Sequence, residues 1–174
     1  MTHPQSLPVI VRPWQKEDAP GLAYISNNRN IWNNVRDALP FPYTLTDAQQ
    51  WIQLCATQTP ARNFAVEYKG EVAGSIGCVP GEDIYRKSME IGYFIGEPFW
   101  GKGIATEAVR QLLQHISENF SMSRLFAGVF AYNTASMRVL QKNGFYLESV
   151  RRQSIYKNNQ LHDEYVWVKL LQPW

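Results

Sequence analysis

Two adjoining runs do most to limit the folds open to this chain. They are Ser88-Met89-Glu90-Ile91-Gly92-Tyr93-Phe94-Ile95 and Trp100-Gly101-Lys102-Gly103-Ile104-Ala105-Thr106-Glu107-Ala108-Val109. The first reads as a strand. The second is a glycine turn opening a long helix, in which Ile104, Ala108, Val109, Leu112, Leu113, Ile116 and Phe120 recur at helical spacing and mark one face as core. Leu125 to Ala131 reads as a further strand. A strand–helix–strand crossover makes segments 88–95 and 125–131 parallel neighbours. The first turn of a helix leaves backbone N–H groups unpaired and carries partial positive charge, while glycines allow close backbone approach. The turn therefore points to a ligand bearing a phosphate or pyrophosphate.

Common phosphate loops fit poorly. A P-loop would read GxxxxGK[ST], but Lys102 is followed by Gly103; a dinucleotide fingerprint needs a third glycine where this chain has Thr106.

Around this centre, Val9 to Arg12 reads as a strand. A helix follows from Asp18-Ala19-Pro20 to about Ser26, with Asp18 as N-cap. Thr46-Asp47-Ala48-Gln49 opens another, which buries some of Trp51, Ile52, Leu54 and Cys55 and ends before Pro60. Asn63–Tyr68 and Glu71–Val79 are strands joined by Lys69-Gly70, a hairpin signal. Thr134 to Asn143 is a helix, with Asn133 as N-cap and Gly144 as its stop. Phe145–Ser154 and Glu164–Leu170 form a last hairpin around Tyr156–Gln160.

The turn W100-G101-K102-G103-I104-A105 resembles the acyl-CoA loop [RQ]xxGx[GA] of the GCN5-related N-acetyltransferases (GNAT superfamily), departing at its first position, where Trp100 stands for Arg or Gln. Asn133-Thr134-Ala135-Ser136 with V139-L140-Q141-K142-N143-G144-F145 resembles the superfamily's NxxA/S…LYxxxGF segment, and the wording WGKGIATEA is similar to the RimJ/RimL branch, which acetylates N-termini of ribosomal proteins. The resemblance runs from Val9 onward. It implies a mixed α+β GNAT fold: a mostly antiparallel twisted sheet with one splayed parallel strand pair, flanked by helices, in a single domain over 1–174.

The resemblance also implies acetyl-CoA as cosubstrate, a primary amine as acceptor, and direct transfer between them. Backbone groups of Tyr93, Phe94 and Ile95 would pair with the pantetheine, an N–H near Phe94 or Ile95 would meet the oxyanion, and Gly101, Lys102, Gly103, Ile104, Ala105 and Thr106 would hold the pyrophosphate. Lys102 is either a charge for that anion or a solvated loop lysine. Glu107, an acid beside an anion, must point away. Asn133 would hold a pantetheine amide, cap its helix, or both. Where many relatives carry a proton-donating tyrosine, this chain has Leu140; Ser136, one turn earlier, is the substitute expected to organise the leaving sulfur, a serine hydroxyl being too weak an acid to donate unaided.

Glu90 is the candidate general base, as a buried carboxylate of raised pKa on the strand face shared with Gly92 and Phe94, unless it is a structural acid bonded within the sheet. The acceptor pocket is expected from the Asn- and aromatic-rich segment 27–43, with Trp32, Asn33, Arg36 and Tyr43, unless that segment is a helix-turn packed on the sheet with its aromatics in the core. Asp163 either receives an ammonium or shapes a turn. A covalent route would need Cys78 with His162, whose spacing offers no support.

Composition excludes several classes. A net charge of +2 is too weak for a nucleic-acid or membrane binder. Cys55 and Cys78 give neither a disulfide framework nor metal-ligand spacing, so no metal is expected and a reducing cytoplasm is the simplest compartment. The start Met1-Thr2-His3-Pro4-Gln5 has no signal-peptide pattern; His3 and His115 look incidental. Exposed edges of the last hairpin make a homodimer an open expectation.

Overall fold

The computed structural model describes residues 8–171; Met1 to Gln5 lie outside them. Seven strands form one sheet in the order β1-β2-β3-β4-β5-β7-β6. They are β1 (Val9–Pro13), β2 (Asn63–Tyr68), β3 (Glu71–Pro80), β4 (Ser88–Ile95), β5 (Arg124–Phe130), β6 (Tyr146–Lys157) and β7 (Gln160–Leu170). Every neighbouring pair is antiparallel except β4 and β5, the expected parallel pair. That pair is in register only for Ser88–Arg124, Met89–Leu125 and Glu90–Phe126. Beyond Glu90 the strands part, leaving a notch in the middle of the sheet.

Side-chain alternation along β4 assigns the two faces. Met89, Ile91 and Ile95 join the main core with α4 (Ile104–Asn119), whose Ile104, Ala108, Val109, Leu112 and Ile116 are buried as their spacing requires. Leu113 and Phe120 pack at its margin. His115 is not incidental: it packs edge-on to Phe64 and bonds the Ala61 carbonyl at 3.0 Å, tying α4 to the chain entering β2. The other face carries Phe94 against a smaller cluster built by α1 (Ala19–Ser26) and α3 (Leu45–Cys55). Of the four α3 positions expected inside, Ile52 and Cys55 are buried, Trp51 is half-buried and Leu54 is exposed.

Three local readings need correction. Asp18 makes no side-chain cap on α1; its carboxylate accepts from the Gln15 N–H and from Arg12, fastening the chain after β1. Thr44, two residues before the expected start, caps α3 in a reciprocal box with Asp47. The last hairpin turns within the expected stretch, at Asn158-Asn159 with φ of 52° and 60°, but its strands reach Lys157 and Gln160 instead of stopping at Ser154 and Glu164. Asparagine enters the left-handed region without glycine's signature, so β6 and β7 run longer than their sequence suggested.

The asparagines of segment 27–43 are largely joints. Asn28 Oδ1 caps the short helix α2 (Arg29–Trp32), accepting from the amides of Asn30 and Ile31, while its Nδ2 donates to Glu97 at 2.6 Å. Asn27 Oδ1 accepts from the Tyr43 N–H. The segment is thereby pinned beside the glycine turn.

Candidate active site

The edge of β4 facing the notch can be identified from hydrogen-bond parity. Gly96 N–H donates to Ala73 O at one end of the β3–β4 ladder and Gly81 N–H to Ser88 O at the other, each at 2.8 Å, with no register break between. Alternation then turns the backbone groups of Ser88, Glu90, Gly92 and Phe94 toward β3, and those of Ile91, Tyr93 and Ile95 toward the diverged β5. Of the three residues expected to offer backbone groups, Tyr93 and Ile95 face the notch. Phe94 does not, because its amide belongs to the ladder with Ser75. The Ile95 carbonyl is already engaged by Trp100 Nε1 at 2.6 Å, so the unexpected Trp100 braces the turn against the strand.

Gly101 and Gly103 have φ of 74° and 76°, in the left-handed region where other residues are strained. Gly103 is the N-cap of α4, so the amides of Ile104, Ala105 and Thr106 open its first turn. Glu107 is turned away, bonded to Arg110 at 2.7 Å and Gln111 at 2.9 Å; the Arg110 bond holds its carboxyl below the usual range. Lys102 folds back, its Nζ donating to the Pro98 carbonyl at 3.0 Å. The turn from Gly101 to Thr106 lines a cavity of about 600 Å³, together with Arg138 and Lys142 of α5 (Thr134–Lys142). Neither cation is in an ion pair among the described residues. Sequence reasoning passed them over, although a basic pair at i and i+4 shares a helix face.

A second cavity of about 640 Å³ lies on the opposite face of the sheet. The two meet at the notch, sharing Asn34, Val35, Tyr93, Phe94, Asn133 and Ser136. Asn133 caps α5 through its bond from the Ser136 N–H at 3.2 Å. Ser136 Oγ lies 2.9 Å from the Tyr93 hydroxyl, which also reaches the Ser136 carbonyl. Burial pushes the Tyr93 phenol up to about 12 against the opposing effect of the Ser136 bond. A tyrosine hydroxyl therefore does stand at the notch, supplied by β4 rather than α5. Leu140, at the position where a tyrosine was sought, is fully buried in the core.

Glu90 lines the second cavity on the face expected, but it is neither buried nor without a counter-ion. Its side chain is 24% exposed and accepts a bond from Arg36, itself 73% exposed. Arg36 and Glu90 are thus brought together. Trp32 and Asn33 line neither cavity. The Trp32 ring lies between Arg29 and Lys157, whose Nζ is 3.3 Å from its centroid. The Asn33 carbonyl accepts from the Tyr132 hydroxyl and its side chain from Asn158. Tyr43 is buried in the α1–α3 cluster. Asp163 faces away, accepting the Gln153 N–H at 2.8 Å and Arg152 at 2.7 Å, and so braces a β6 irregularity.

Lys157 was missed. It lines the cavity wall, is only 3% exposed, and bonds Asp37 at 2.6 Å and the Val35 carbonyl at 3.0 Å. Cys78 also lines this cavity, but burial raises its thiol to about 11, and His162 stands instead against the Tyr132 ring. Among the described residues, no group of three or more potential ligands could hold a metal, and no helix is long and apolar enough to cross a membrane.

The sequence pattern of the acetyltransferase (GNAT) domain matches residues 9–146. YjcK of Bacillus subtilis (strain 168), named as a probable N-acetyltransferase, is 38% identical over 94 residues, covering 52% of each chain. The ribosomal-protein-serine acetyltransferase of Escherichia coli (strain K12) is 27% identical over 111 residues, covering 64% of this chain and 62% of its own. These matches thus span between half and two thirds of the relatives' length. Among solved structures, RimL, a ribosomal L7/L12 alpha-N-protein acetyltransferase in complex with coenzyme A, superposes with a TM-score of 0.82 over 96% of both chains at 22% identity.

Proposed function

The chain belongs to the acetyltransferase (GNAT) domain family, and on that premise we propose that it moves an acetyl group from acetyl-CoA to a primary amine, preferentially the N-terminus of a peptide or protein. One arrangement carries the reading: a strand edge left open by the β4–β5 divergence runs directly into a turn of unpaired helix amides. The fit to acetyl-CoA rests on that edge, on the left-handed glycines and on the two unpaired α5 cations. Amides 104–106, with Arg138 and Lys142, hold the diphosphate. Tyr93 offers its backbone N–H and C=O to the pantetheine as an added strand would.

Acetyl-CoA, when bound, supplies the thioester carbonyl: the amine nitrogen bonds to that carbon and the carbon–sulfur bond breaks. An N–H facing the notch, at Tyr93 or Ile95, is aimed at charge developing on the carbonyl oxygen. Glu90 takes the amine's proton, directly or through water, with Arg36 fixing the carboxylate. Ser136, backed by the Tyr93 hydroxyl, organises the sulfur by a hydrogen bond; the departing thiolate takes its proton from water, and the phenol keeps its own. The phenol's raised pKa keeps that proton in place at neutral pH.

Peptide N-termini are favoured over small amines because a relative and a fold neighbour are named for ribosomal proteins. The test follows free thiol while acetyl-CoA is mixed with free-N-terminal peptides, spermidine and amino-acid amides. Faster release with peptides is expected. Saturable CoA binding without thiol release from any amine would mark a non-catalytic CoA-binding module instead.

A further inference from the structure

Glu164 opens β7's share of the second cavity and has no part in the mechanism above. It pairs across the ladder with Phe130, and its side chain leans back along β5 over Gly128. A Cβ at Gly128 would stand 2.1 Å from Glu164 Oε1 and 2.9 Å from its Cδ, so the carboxylate lies flat on bare backbone that only glycine leaves uncovered. On the neighbouring strand, Gly92 faces open space on the same side: a Cβ there would meet nothing within 4 Å. Gly92 and Gly128 thus floor the cavity, with Glu90 on one flank and Glu164 on the other.

The two acids are held alike. Glu164 Oε2 accepts from Arg151 at 3.0 Å, while Oε1 has no hydrogen-bond partner among the described residues. Glu90 Oε1 accepts from Arg36, and its other oxygen is unpaired among the described residues. Each arginine is exposed and approaches from outside; each spare oxygen belongs to a side chain less than a quarter exposed. A surface ion pair with Arg151 gives no reason to fold the carboxylate inward over Gly128. Exposed pairs contribute little, and the carboxylate oxygen left without a protein partner faces the cavity, open to a donor from there. A cationic donor entering the cavity would satisfy it.

We infer that Glu164 is the acceptor-binding residue that receives the substrate's ammonium at Oε1, so that the acceptor class is a cationic primary amine, held between two carboxylates before Glu90 takes its proton. This rests on the acetyltransferase reading above. The neighbouring Asp163, named from sequence for this task, is one residue out and on the other face of the strand.

The probe is the amine of the panel that gives the fastest thiol release with the unaltered protein. Glu164→Gln keeps the size and removes the charge. A charged hydrogen bond lost from the bound amine should raise the acceptor KM about tenfold or more, with kcat and the acetyl-CoA KM nearly unchanged. Gly128→Ala should do the same by displacing the carboxylate, and should have no further effect in a Glu164→Ala background. An unchanged acceptor KM in an active Glu164→Gln protein, or equal Gly128→Ala effects with and without the glutamate, overturns Glu164 while leaving the transferase reading intact. If no amine releases thiol from CoA-binding protein, the transferase reading fails and this inference falls with it.

Discussion

The donor end and the acceptor end of the cavity system are built from different material. At the proposed donor end the surface on offer is backbone: two glycines in left-handed conformation, the first amides of α4, and a stretch of β4 that has left its ladder with β5 come from 14 consecutive residues, 93–106. At the acceptor end, side chains from distant segments converge, and most are already engaged with one another. Glu90 is tied to Arg36, Asp37 to Lys157 and Glu164 to Arg151. A backbone-built site recognises what is common to a substrate class. One made of paired side chains can change its acceptor by exchanging partners.

If that division is right, damage at each end should be separable. The largest effect is expected for Glu90→Gln, which removes the proton acceptor. Turnover should fall about 100-fold, within the range for general-base loss, while CoA affinity measured by calorimetry stays the same. A kcat that survives would return the proton to solvent or to another acid. At the donor end, Gly103→Val forces a β-branched residue into φ 76° and should weaken CoA binding roughly 30-fold, a combined effect of strain and blocked amides. Acceptor KM should not move, and the melting temperature measures how much of the loss is mere unfolding.

Tyr93→Phe examines the junction of the two ends. Loss of the hydroxyl behind Ser136 should lower kcat by up to about tenfold, the upper end of a neutral hydrogen bond's contribution, without affecting either KM. Because burial holds this phenol near about 12, the unaltered enzyme should lose no rate through its ionisation until well above about pH 10, the ordinary phenol value. An alkaline loss of rate that begins lower and vanishes in Tyr93→Phe would contradict that assignment. The smallest effect is expected for Lys157→Met. Asp37 is 70% exposed and is not stranded by losing its partner, so stability should drop by only about 1 kcal/mol. The hairpin tip should loosen and the acceptor KM rise a few-fold; a change in CoA affinity would mean that the two ends are coupled.

The strand, glycine turn and helix from 88 to 119 were legible because each signal is local: alternation, left-handed glycines and a helical repeat occupy consecutive residues. The parallel pairing of β4 and β5 followed from the crossover alone. Less legible was segment 27–43, where aromatics such as Trp32 and Tyr43 read equally as pocket walls or as core. Whether a tyrosine packs inward or lines a cleft depends on what lies opposite, and Tyr43 lies in a cluster formed by α1 and α3. The last hairpin turns within the expected 156–160, but its strands run closer to the turn than expected, since Asn158 and Asn159 alone take the left-handed conformation between them.

By itself the sequence determined the order of elements, the glycine turn that opens α4 and the family, since these rest on contacts between near neighbours in the chain. Tertiary structure alone decided that Phe94 spends its amide on β3, that the tyrosine beside Ser136 comes from β4, and that Glu164 rather than Asp163 faces the cavity. Such outcomes depend on strand register, and a shift of one residue exchanges the two faces of a strand. Register is set by partners far away in the sequence, where a reading of neighbouring residues cannot reach.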